Sequence, residues 1–335
     1  MTIPKTYPYD FDPTYGMTLA DLRAVVPPVA PDRFDGFWSD RYARAMTIDP
    51  QPKLSKSKSS HPRWSVFDIT YTSTDAFTIG GWLLVPKRGE VRRGLVVGHG
   101  YGGRDAPNFD VPVENTAVLF PCFRGMSRSA RPPISSEADW HVLHDIDKPE
   151  RYIIGGCVED LWLAVSALTV LYPRVAGRIG YSGISFGGGI GGLAIPFDRR
   201  IDRGHLSLPT FGSQELRLKL PSIGSAASVQ RYQAKYGNAL PTLRLHDSAV
   251  AANRITIPML ASVAQFDPAV APPCQFAIAN ALCQPRAAGL PLPSKFNEIF
   301  ILDAGHFDYP GKTSQDTVLT TKLRHFFKPD PSFEL

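Results

Sequence analysis

Three residues far apart in the chain have the types and settings that could activate a hydroxyl: Ser185, Asp267 and His306. A serine is a poor nucleophile unless a base takes its proton, and the base needs an orienting carboxylate. Ser185 stands in Gly183-Ile184-Ser185-Phe186-Gly187, after a predicted strand and at the start of a predicted helix. That is the setting of a nucleophile elbow. A sharp strand-to-helix turn strains the serine and brings backbones close, so glycine belongs on either side. A glycine-rich packing turn would leave the same pentapeptide, but its place between strand and helix weighs against that.

On such a scaffold the partners follow in the order serine, acid, histidine. Downstream of Ser185 stand His205, His246, His306 and His325. His306 lies in Asp303-Ala304-Gly305-His306-Phe307, just past the predicted strand Glu298–Leu302. Loops at the carboxyl ends of strands are where open α/β sheets place their sites. His205 falls within a predicted strand and His325 within the last helix, where packing or surface roles suit them better. Asp267 directly follows the predicted strand Pro258–Ala264, in Gln265-Phe266-Asp267-Pro268. Asp247 and Asp303 compete as the acid, and capping of the helix after Pro268 competes as the role of Asp267.

Stabilising the oxyanion requires backbone N–H groups aimed at the developing charge. The Phe186 amide is one candidate, and the Tyr101 amide in His99-Gly100-Tyr101-Gly102-Gly103 is the other. His99 then braces the loop. The side chains of Tyr101, Phe186 and Phe307 are candidates to wall a substrate pocket.

Other signals are weaker. His141-x-x-His144 has metal-like spacing but no third ligand nearby, so structural histidines are expected and no metal or cofactor is assigned. The glycines from Gly187 to Gly192 lack the G-x-G-x-x-G placement after a strand, and Gly311-Lys312-Thr313 lacks a preceding phosphate loop.

The elements that must position the candidate triad read as an α/β class. Residues 1–60 form an N-terminal arm, with helices predicted over Thr18–Ala24 and Pro31–Ala45 and a loop over Gln51–Pro62. Residues 61–335 read as a single catalytic domain. It opens with a hairpin, Trp64–Thr72 and Phe77–Val85, followed by strands at Gly94–Val97, Thr116–Phe120, Arg178–Ser182, Gly204–Leu208, Pro258–Ala264 and Glu298–Leu302. Helices are predicted between them at Cys157–Leu171, Ser185–Ile195 and Ala271–Ala281, with a last one at Ser314–Phe327. A loop or cap insertion fills Ser129–Lys148. The alternation predicts a mostly parallel central sheet with helices on both faces.

With 335 residues, 43% hydrophobic and 20% charged, the chain has ample material for one large core. The formal charge of +5 is scattered rather than striped, so no nucleic-acid partner is expected. Cys122, Cys157, Cys274 and Cys283 are widely spaced, which predicts free buried thiols. No run of ~18 apolar residues stands out as a membrane span, and the N-terminus lacks a leader-like apolar core. The expected location is the cytoplasm.

The arrangement resembles the acetyl xylan esterase and cephalosporin C deacetylase group, carbohydrate esterase family seven, within the α/β-hydrolases. The likeness runs from Met17-Thr18-Leu19 and Asp35-Gly36-Phe37-Trp38, through Gly98–Gly103 and Phe123-Arg124-Gly125, to Asp267–Pro273 with Phe276, Ala277 and Asn280. The resemblance implies an α/β-hydrolase fold and metal-free deacetylation of small acetylated sugars through an acyl-enzyme. It also implies a homo-oligomer, commonly a hexamer. Met126 and Phe186 stand where the family has glutamine, and Phe307 where it has glutamate, which leaves pocket polarity and acyl choice open. The expected partner is a small-molecule ester. A general short-chain carboxylesterase or lactonase is the alternative, and a non-catalytic binding protein on this fold is the rival from another class.

Overall fold

The computed structural model describes residues 3–328. Its centre is one nine-stranded sheet: β1 (Lys53–Lys56), β2 (Trp64–Thr72), β3 (Thr78–Pro86), β4 (Arg93–Gly98), β5 (Thr116–Pro121), β6 (Ile179–Ile184), β7 (Ile201–Ser207), β8 (Met259–Ala264) and β9 (Glu298–Leu302). The spatial order is β1-β2-β3-β5-β4-β6-β7-β8-β9. The first three strands and the β3–β5 pair run antiparallel, and every later pairing is parallel. Parallel strands covered on both faces are expected to be continuously apolar. All six residues of β5 and of β8 are buried, whereas β2 mixes buried and half-exposed positions as suits a strand nearer the edge.

After β4 the chain goes to β5 on one side and later returns to β6 on the other, so the strand order reverses at β4. Such a reversal opens a crevice at the strand ends. Every candidate residue leaves the sheet at a carboxyl end: His99–Gly103 after β4, Ser185 after β6, Asp267 after β8 and His306 after β9.

The arm is held to this sheet. Thr18 caps the helix Leu19–Arg23 in a reciprocal capping box with Asp21. In the helix Phe34–Met46, Phe34 and Trp38 are fully buried, and the Trp38 indole donates to the Leu245 carbonyl at 2.8 Å. Asn280 donates to the carbonyls of Leu22 and Val25, tying the helix Pro272–Cys283 to the arm.

Three expectations give way. The segment expected as a loop contains β1, an exposed edge strand whose polar sequence gives no alternating signal. One helix, Ile153–Leu171, is long and apolar enough to span a membrane by length and composition, yet 89% of its 18-residue apolar window is buried inside the protein. Its Glu159 and Asp160 explain the discrepancy. They are fully buried and paired with Arg41, Arg44 and Arg124, so this is a core helix with an internal charge network. Cys283 is exposed, while the other three thiols are buried and all four are free.

Candidate active site

Ser185 sits at φ 53° and ψ −111°, a conformation that costs a non-glycine residue energy and that the surroundings must enforce. They do so by pairing its backbone. Its N–H donates to Ser207 O at 2.8 Å, and its carbonyl accepts from Gly189 N at 3.0 Å and Thr210 N at 3.2 Å. The loop after β4 crosses directly over the elbow, and Gly187 N donates to His99 O at 2.9 Å. A Cβ on Gly187 would lie 2.7 Å from that carbonyl, so only glycine lets the two turns meet.

His306 Nε2 lies 2.9 Å from Ser185 Oγ, and its Nδ1 lies 2.8 Å from Asp267 Oδ2. The carboxylate fixes the tautomer: Nδ1 carries the proton, and Nε2 is free to accept from the serine hydroxyl. Burial pulls the imidazole's proton affinity down. The Asp267 charge and hydrogen bond more than offset this, leaving it above the ordinary value of 6.5. Asp267 is fully buried, whereas the His306 side chain is 25% exposed, so the relay runs from interior to surface.

The second oxygen of Asp267 explains why a capping role competed in the sequence. Oδ1 accepts from Ala269 N and Val270 N, both at 2.9 Å, while Oδ2 serves His306. Both roles are real. Gln275, which sequence reasoning missed, donates to Oδ2 at 2.8 Å and to Val270 O at 2.7 Å, and accepts from Ala264 N. Its place inside the Asp267–Asn280 segment was the available signal, but spacing alone does not say which side chain turns back. Pro13 of the arm accepts from Asp267 N at 3.1 Å.

The competing residues are committed elsewhere. Asp247 caps the helix Ser248–Ala252 and accepts from Ser213 N and Gln214 N as well. Asp303 accepts from Gln315. His205 bridges Ser182 and Ser262, and His325 lies exposed on the last helix. His141 places Nε2 against Arg124 O, and no metal-binding group of three or more ligands occurs among the described residues.

His99 braces the loop after β4. Its Nδ1 donates to Gly100 O at 2.7 Å, and its Nε2 accepts from Phe123 N at 3.0 Å. Among the described residues, neither the Tyr101 amide nor the Phe186 amide has a hydrogen-bond partner. One expectation for the pocket changes. The Phe186 ring is fully buried, 4.4 Å from the Tyr101 ring, and backs the site rather than walling it. The Phe307 ring is half-buried and packs on Phe266 at 5.2 Å and Tyr9 at 6.2 Å, because the arm supplies an aromatic surface there.

The family model for acetyl xylan esterase (AXE1) matches residues 14–291. Among solved structures, the chain is similar to acetyl xylan esterase 1 from Thermoanaerobacterium sp. JW/SL YS485, with a TM-score of 0.75 and 19% identity over 93% of this chain and 99% of that one. The acetyl xylan esterase from Paenibacillus sp. R4 gives 0.75 and 20% identity over 92% and 100%. The Pyrococcus furiosus esterase Pf2001 gives 0.55 and 17% over 83% and 98%. No curated protein matches by sequence. The structural likenesses establish the α/β-hydrolase fold, and the family match extends over most of the chain, from the arm to beyond the acid. The chain therefore belongs to the acetyl xylan esterase (AXE1) family of carboxylic ester hydrolases.

Proposed function

We propose that the protein deacetylates small acetylated sugars or related acetyl esters through an acyl-enzyme, with Ser185 as nucleophile, His306 as base and Asp267 as its orienting acid. The observation that supports this is the unbroken relay from Ser185 Oγ through the imidazole to a buried carboxylate. His306 Nε2 takes the serine proton as Oγ attacks the ester carbonyl, and the Tyr101 and Phe186 amides hold the oxyanion. The proton passes to the departing alcohol. Water activated by His306 then releases the acid and restores the serine.

Family membership supports acetyl as the acyl group. Met126 and Phe186, both fully buried and apolar, favour a general short-chain carboxylesterase as the second reading. A panel of p-nitrophenyl esters from acetyl to octanoyl, run on wild type and Ser185→Ala, separates the two. Activity confined to acetyl supports the deacetylase, and preference for longer chains supports the alternative. An inert wild-type enzyme would sink both readings and favour a binding protein.

The family resemblance further supports a homo-oligomer, a hexamer, which sedimentation velocity tests. The four free thiols support a cytoplasmic location, which fractionation of the source cells tests.

A further inference from the structure

Buried polar atoms are normally paired, and each exception needs a reason. Among the described residues five buried atoms without a hydrogen-bond partner lie together behind the loop after β4: Tyr101 Oη, His141 Nδ1, Tyr152 Oη, Arg217 Nη2 and His246 Nε2. The rings connect them. Tyr101 lies 5.6 Å from His141, and Tyr152 lies 5.0 Å from His246. Arg217 sits over the Phe211 ring at 5.5 Å, and Phe211 meets Phe186, the residue after the nucleophile, at 6.0 Å. The Arg217 charge acts on both tyrosine hydroxyls.

Arg217 is the unusual member. It is only 4% exposed, and its one side-chain hydrogen bond is a long 3.3 Å contact from Nη1 to Gln214 Oε1. The carboxylate acting on it, Asp247, is already occupied by four backbone N–H groups. Cys274 beside it is a buried thiol held protonated, with its proton affinity pushed up to about 12. A buried guanidinium with a free N–H is costly unless something anionic completes it. Hydroxyl donors from Tyr101 and Tyr152 suit the same kind of guest, since a carboxylate only accepts.

Tyr101 ties this cluster to the chemistry. Its amide is placed to hold the oxyanion, while its ring carries the hydroxyl inward to the cluster. The Phe186 ring, on the residue after the nucleophile, meets both Tyr101 at 4.4 Å and Phe211 at 6.0 Å, so the cluster adjoins the acyl side of the site. We propose that the cluster is a subsite for a carboxylate at the far end of the acyl group, so that the enzyme also hydrolyses half-esters of short dicarboxylic acids. The proposal rests on Ser185 acting as an esterase nucleophile. The reaction is the same hydrolysis: the Oγ–C bond forms as the alcohol C–O bond breaks, the alcohol leaves with the serine proton, and water frees the dicarboxylate.

The test compares kcat/KM for p-nitrophenyl hydrogen glutarate with that for p-nitrophenyl acetate in wild type, Arg217→Met and Tyr152→Phe. Loss of a hydrogen bond to a charged group lowers the glutarate-to-acetate ratio about ten- to a hundred-fold in Arg217→Met. Tyr152→Phe, which keeps the packed ring, lowers it in the same direction and answers the case where the arginine variant does not fold. A ratio unchanged in both variants, or a wild type active on acetate and inert on the half-ester, overturns the subsite alone. Wild type inert on both esters overturns the esterase reading beneath it.

Discussion

His306 and Asp267 meet through Nδ1 and Oδ2 at 2.8 Å, and three separate segments hold the carboxylate for that contact. Its own loop supplies two amides to Oδ1, the following helix supplies Gln275 to Oδ2, and the arm's Pro13 carbonyl takes its backbone N–H. A carboxylate tied on both oxygens cannot rotate away. Replacement by asparagine keeps the shape but removes the charge and presents the wrong hydrogen-bonding group to Nδ1. Asp267→Asn lowers kcat by about 10⁴ with little change in fold. Steady-state kinetics beside a circular dichroism spectrum check this, and near-wild-type turnover would remove Asp267 from the relay.

The same contact sets the pH profile. His306 acts as a base only when neutral, and its proton affinity stands above the ordinary 6.5. The kcat/KM of the free enzyme therefore rises with pH through an inflection above 6.5 and then levels. The stability linkage has the opposite sense. A raised histidine contributes fully below its unfolded value, and that contribution is lost as pH rises through the folded value. An inflection at or below the ordinary value would contradict the Asp267 effect.

Gly305 precedes the base, and a Cβ there would lie 2.4 Å from Asp267 Oδ2 and 2.7 Å from Leu208 Cδ2. Asp267 Oδ2 is pinned by His306 and Gln275, and Leu208 is buried against Ala264 and Leu302. Gly305→Ala displaces the acid or the histidine and lowers kcat/KM by about 10² or more, since small misplacements carry large kinetic costs. Activity within a few-fold of wild type would show the relay to be looser than its contacts imply.

Four histidines outside the relay predict acid sensitivity. Burial lowers His99, His141 and His205 to about 4 and His246 to about 3. With folded values below the unfolded one, the unfolded chain binds protons that the folded chain refuses. Their neutral state costs nothing above the ordinary value, and stability drains as pH falls from about 6.5 toward 4. The urea midpoint should fall steadily across that window. A flat midpoint would mean these imidazoles gain protons without unfolding.

Much of this site was legible because its residues sit at junctions that sequence marks well. Ser185 lies between an apolar strand and a glycine-rich helix, and Asp267 and His306 each follow a short apolar run, so element order alone gave them a shared rim. What stayed hidden depends on side-chain direction. Gln275 reads like any polar residue on a helix, and nothing local says that it turns back to the acid. Phe307 reads as a pocket wall because it adjoins His306, and only the folded arm shows that its ring packs on Tyr9 and Phe266. Strand β1 has the polar sequence of a loop, and only pairing with β2 makes it a strand.

The central claim is that Ser185 becomes covalently attached to the acyl group. The organophosphate diethyl p-nitrophenyl phosphate traps that step, and peptide mass spectrometry locates the adduct. The account predicts one diethylphosphoryl group, on Ser185, absent in Ser185→Ala and formed far more slowly in His306→Gln. An adduct on another residue, or an esterase fully active after Ser185→Ala, would contradict it.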